Sequence, residues 1–117
     1  MAVAKNRGAI TQLTASGTST TIDLSLIYTA VLFVKHFNGT GTVTTAASFL
    51  VQYQAKGGTL WYTLNNQAFT PSAITGKTDD FTIFIPDGTG AVQLVYTAPA
   101  GPTGFTLDAE AGEITGL

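Results

Sequence analysis

Cysteine is absent from this 117-residue chain. That excludes a disulfide framework, a thiol nucleophile and a thiolate metal site. Charge is scarce: Lys, Arg, Asp and Glu make up 10% of residues, against about 25% in an average soluble domain. Five basic and seven acidic residues give a formal charge of −2, and the pI is near 4.9. A general nucleic-acid binder needs clustered Lys and Arg to hold phosphates, so that class is set aside. Long apolar runs are missing as well. The longest, Ala30 to Val34, falls far short of the ~20 residues of a bilayer-spanning helix. Lys5 and Arg7 lie near the start with no apolar run behind them, so no signal peptide is expected. Helical periodicity is also lacking, since no window repeats apolar residues at i, i+3, i+4 and i+7.

What is present favours strands and turns. The chain holds 21 Thr, 15 Ala and 13 Gly, and 44% of it is hydrophobic. That is enough apolar residue for one folded domain with one core. Short apolar runs are broken by Gly, Asn, Asp and Pro at the spacing of an all-β sandwich. Strands are expected at 9–14, 20–24, 28–37, 49–55, 59–64, 81–85, 91–97 and briefly 105–107. The strongest, 28–37, is apolar on both faces, as in a central strand or one covered by a partner chain. Lys56-Gly57-Gly58, Asn65-Asn66-Gln67 and Pro86-Asp87-Gly88 read as turns. The expected fold is a two-sheet β-sandwich of seven or eight short strands, immunoglobulin-like or jelly-roll. Residues 1–8 read as an N-terminal arm, 9–107 as the sandwich domain and 108–117 as an acidic C-terminal tail.

Catalytic groups are few. His36 is the single histidine. Its context, a strand reaching an Asn38-Gly39 turn, suits a locally bonded edge or turn residue better than a general base. No G-x-S-x-G elbow is present. Asp79 and Asp80 are strand neighbours whose side chains should point apart, unlike the paired acids of a hydrolase. Gly76-Lys77-Thr78 copies the end of a phosphate loop without its upstream glycine, preceding strand or following helix. Asp87-Gly88-Thr89-Gly90 is a turn rather than a calcium loop. Asn38-Gly39-Thr40 fits a glycosylation sequon, but a turn explains it better. No enzyme activity, cofactor, metal or small-molecule ligand is expected.

Surface chemistry remains. Lys5 and Arg7 lie at one end of the sequence, and Asp108, Glu110 and Glu113 at the other. A basic arm meeting a neighbour's acidic tail would make a subunit interface. Trp61 alternates with Leu60, Tyr62 and Leu64, so it is either an outward anchor or a core residue with Tyr62 outward. Trp61, Tyr62 or Tyr53 could alternatively be a sugar-stacking platform.

The order Val34-Lys35-His36-Phe37-Asn38-Gly39-Thr40-Gly41, then Phe49-Leu50-Val51-Gln52-Tyr53, then Gly58-Thr59-Leu60-Trp61-Tyr62 resembles small virion proteins of tailed bacteriophages. Among these, the chain is similar in style to capsid decoration or cement proteins, which are short, Thr/Ala/Gly-rich, cysteine-free and all-β. The resemblance implies a β-sandwich without an active site, made in the host cytoplasm. It would sit on the capsid surface as a dimer or trimer, bridging neighbouring major capsid protein subunits. Lys5, Arg7, Trp61, Asp108, Glu110 and Glu113 are the candidate interface residues. The alternatives are a phage tail, adaptor or fibre protein, or a carbohydrate-binding β-sandwich module.

Overall fold

The computed structural model describes the backbone of residues 3–115 and the side chains of residues 8–114. Nine strands form there: β1 (Val3–Ala9), β2 (Gly17–Thr18), β3 (Ile22–Asp23), β4 (Ala30–Phe37), β5 (Ser48–Ala55), β6 (Trp61–Thr63), β7 (Thr78–Ile85), β8 (Thr89–Thr97) and β9 (Thr106–Thr115). One sheet runs β1-β9-β4-β7. The other runs β2-β8-β5-β6, with β3 pairing along β8 as β2 does. All these pairs are antiparallel.

Four pairings are nested in the chain: β5 with β6, β4 with β7, β2 and β3 with β8, and β1 with β9. The chain is therefore one long hairpin whose tip is the turn after Ala55. It is wound so that β5 also meets β8 and β4 also meets β9. That winding is a jelly roll, and it decides between the two sandwich types the strand count left open.

Period-two alternation builds the core. Ala30, Leu32 and Val34 on β4, Phe49 and Val51 on β5, Val92, Leu94 and Tyr96 on β8, and Leu107, Ala109 and Ala111 on β9 all bury inward. Phe49 stacks on Phe69 at 5.2 Å and meets Phe81 edge-on at 5.1 Å, closing one side.

The expected arm and tail are instead sheet strands. β1 pairs with β9 from Val3↔Thr115 to Ala9↔Glu110, with a bulge between Asn6 and Gly8. β9, flanked by β1 and β4, is interior to its sheet. Asp108 and Glu110 alternate with Leu107, Ala109 and Ala111, so they occupy the solvent side of a buried strand. The strand expected at 9–14 is reduced to an isolated bridge, Leu13↔Leu107.

At one end, the loop after β4 and the loop after β8 zip together through Thr40↔Thr103 and Thr45↔Ala100. Gly39 (φ +78°) and Gly101 (φ +106°) sit at the closest approaches. A Cβ at Gly39 would collide with the Thr103 carbonyl oxygen, and one at Gly101 with that of Thr42. Asn38-Gly39 is thus no free hairpin turn: Asn38 is fully buried, and its Nδ2 donates to the carbonyls of Ser72 and Ile74 at 2.5 and 2.8 Å.

Candidate functional site

Apolar exposure concentrates at the opposite end of the sandwich. Register brings together there the start of β4 (Ala30↔Ile85), the β5–β6 turn and the β7–β8 turn, where Lys56 N donates to Gly88 O at 2.9 Å. Leu24 N donates to Gly90 O at 2.8 Å, tying the segment between β3 and β4 to the same end. Leu26 (96% exposed), Tyr28 (74%), Leu60 (66%) and Phe84 (70%) all project there. Of Leu60, Tyr62 and Leu64, which alternate with Trp61 in the sequence, only Leu64 is buried. β6 is a three-residue edge strand, and the core does not reach its outer end.

The outer face of the four-stranded sheet is mixed in character. It carries a hollow of about 570 Å³ lined by Phe33, Lys35, Asp80, Thr82, Asp108 and Glu110. Lys35 Nζ lies 3.7 Å from Asp80, and Gln12 Nε2 donates to both carboxylate oxygens of Asp108 at 3.1 and 2.9 Å. Among the expected interface residues, Asp108 and Glu110 share this face. Glu113, three residues on, has the opposite parity, and the register sets it across from Lys5 of the same chain. The acidic strand therefore meets the basic segment within one chain, because β1 and β9 are sheet neighbours. The side chains of Lys5 and Arg7 lie outside the described residues.

Trp61 is brought to the outer face of the five-stranded sheet. It is half-buried and lies directly across from Gln54. Tyr62 pairs with Tyr53 on the opposite face, their rings 5.7 Å apart.

His36 is not an edge residue. It is fully buried on the inner side of β4, and its Nε2 shares a 2.7 Å hydrogen bond with Tyr96 Oη from the other sheet. Its Nδ1 has no partner among the described residues. Burial lowers the His36 pKa, partly countered by Asp79 across the strand pair. Burial also pushes the Tyr96 hydroxyl up to about 12. For Asp79, burial acts upward, but two hydrogen bonds from Ser72, with Lys77 and His36, outweigh it and leave the carboxyl below its ordinary value. Asp80 points the other way, as neighbouring strand residues must. Among the described residues no three His, Cys, Asp or Glu side chains gather as a metal site would require.

The exposed apolar end missed by the sequence reading had one usable signal. Leu24, Leu26, Ile27 and Tyr28 crowd five residues on both parities, more apolar side chains than one side of a strand can bury.

The fold and surfaces define a jelly-roll sandwich with one apolar end. No family model and no curated protein matches the chain. Among solved structures it is similar to the SPBc2 prophage-derived protein YomS, at 12% identity, over 98% of this chain and 94% of that one, with a TM-score of 0.45. It is also similar to Family 16 Carbohydrate Binding Module-2, at 12% identity, over 92% of this chain and 76% of that one, with a TM-score of 0.41.

Proposed function

We propose that this protein is a structural, non-catalytic component of a tailed-phage virion. It docks on the capsid surface and bridges neighbouring major capsid subunits, each protomer of a dimer or trimer presenting its apolar end. The observation that carries this reading is the set of four large apolar side chains, Leu26, Tyr28, Leu60 and Phe84, exposed at one end. Apolar exposure concentrated in this way marks interaction surfaces on soluble proteins. The low charge supports it, because few ions need be stripped of water when the surface is covered. The resemblance of the strand-turn order to phage decoration proteins supplies the setting. A seam contact of about 1,600 Å² is standard for a specific interface. Repetition over a lattice adds avidity to individually modest contacts.

The test mixes purified protein with phage capsids that lack it, and measures bound copies and shell melting temperature. Saturable binding that raises shell melting is expected. Leu26→Asp and Phe84→Asp should abolish binding while changing the protein's own stability by under about 0.5 kcal/mol. Absence of saturable binding overturns the reading. Binding confined to a ring at the head–tail junction would replace it with an adaptor or tail role.

A further inference from the structure

The outer face of the five-stranded sheet begins beside the apolar end, where Trp61 follows Leu60, and has a different chemistry. Register fixes its members. Gln54 pairs with Trp61 and Ala91, Gln52 with Thr63 and Gln93, and Leu50 with Val95. Directly paired residues in a sheet share a face, so β6, β5 and β8 present Trp61, Thr63, Gln52, Gln54 and Gln93 together. Each of these residues is half-buried, with part of its surface open to solvent. No ionisable group stands on this face of those three strands. Asp23 on β3 is at the margin, where it accepts from Ser25 N at 2.9 Å.

We propose that this face binds a neutral polysaccharide, with Trp61 as the stacking platform and Gln52, Gln54 and Gln93 as the hydroxyl readers. The chemistry matches in three respects. An indole offers a flat apolar face to the C–H side of a pyranose ring, while its edge stays polar. A carboxamide donates and accepts at once, which suits adjacent sugar hydroxyls that do the same. Gln93 Nε2 donates to Gln52 Oε1 at 2.9 Å. That bond orients both amides and leaves the Gln52 amino group and the Gln93 carbonyl oxygen free for a ligand. The face carries no cation to pair with uronate or sulfate, so an uncharged polymer fits it and an acidic one does not. Two strand spacings and a two-residue offset place the tryptophan and the far glutamine about 12 Å apart, a span for consecutive sugar residues rather than a single one. Tyr53 and Tyr62 are excluded as the platform, because both belong to the other face of the sheet.

The chain's single tryptophan is itself the reporter. Cellohexaose, mannohexaose and maltohexaose are titrated against the intact protein while Trp61 fluorescence is followed, with polygalacturonate as the acidic comparison. At least one neutral oligomer should change the emission saturably, with a dissociation constant of about 0.1–1 mM for so shallow a site. The corresponding monosaccharide should bind at least ten-fold more weakly. Trp61→Ala, followed by calorimetry, should reduce affinity at least ten-fold. The double variant Gln52→Ala/Gln54→Ala keeps the tryptophan, so it reads the same loss by fluorescence even if Trp61→Ala fails to fold. Tyr62→Ala should bind as the parent does. The proposal is overturned if no neutral oligomer binds at about 10 mM, if polygalacturonate binds as well as the best neutral oligomer, or if the folded glutamine variant retains full affinity. None of these outcomes bears on capsid docking, which uses other residues.

Discussion

At the scale of single residues, the buried His36–Tyr96 pair is the most consequential polar contact. It joins the two sheets through the core at 2.7 Å, and neither side chain reaches solvent. A buried group left without its partner costs more than the bond itself contributes, whereas removing both partners can be nearly neutral. His36→Leu should therefore lower stability by about 1–3 kcal/mol, and His36→Leu/Tyr96→Phe should recover most of that loss; urea denaturation of the parent, His36→Leu, Tyr96→Phe and the double variant gives the coupling. The pair also sets a pH dependence. The folded-state pKa of His36 lies below its ordinary value of 6.5, chiefly through burial. In the window below 6.5 the unfolded chain binds the proton more readily, so unfolding is favoured as pH falls. Protonation would also leave an N–H at Nδ1 without an acceptor among the described residues. Stability should be full above pH 6.5 and decline on acidification below it, before the carboxylates titrate. His36→Leu should flatten that decline, as thermal melts across the range would read.

At the scale of elements, the legibility of each strand followed its inward side chains. β4, β5 and β8 alternate large apolar residues with others, and their expected spans lie within two residues of the observed ones. β9 alternates too, but Ala109 and Ala111 are small, and Asp108, Glu110 and Glu113 are residues strands usually avoid. Interior position in the sheet, through ladders on both sides, overrides that propensity. β1 carries Lys5, Asn6 and Arg7 and has no signal of its own; β9 supplies its pairing. The face bearing Trp61 was legible only as a parity, because the sense of that parity depends on where β6 ends and the core stops. Two predictions belong here. Deleting residues 2–8 removes the edge strand and uncovers β9, so the melting temperature should fall by roughly 10 °C or more. A free arm would leave it unchanged. Gly39→Ala and Gly101→Ala force a Cβ against backbone carbonyls at positive φ and should each cost about 3 kcal/mol or more. Gly57→Ala, where a Cβ meets nothing, should cost only about 1 kcal/mol from its φ; chemical denaturation separates the two cases.

For the whole molecule, the nested pairing governs both folding and tolerance to rearrangement. Among the described strands only β5 and β6 pair as chain neighbours, and every pair outside them closes a longer loop up to β1 with β9. Such topology folds on the scale of roughly milliseconds to seconds, since loop entropy is lost before distant strands compensate. Strand order could not be read from the chain because alternation says which face is buried, not which strand lies beside which. The register now supplies a way to test the winding. Val3 pairs with Thr115, so the open ends of the long hairpin lie side by side. A linker of about five flexible residues can join them, and new termini can be cut at Lys56-Gly57-Gly58. This circular permutant keeps each native strand pair but makes β5 with β6 a pairing of the chain ends. It should retain the sheet spectrum and fold more slowly, because its one local hairpin has been opened. If it refolds as fast as the parent, the β5–β6 tip does not set the folding rate, and the winding begins elsewhere.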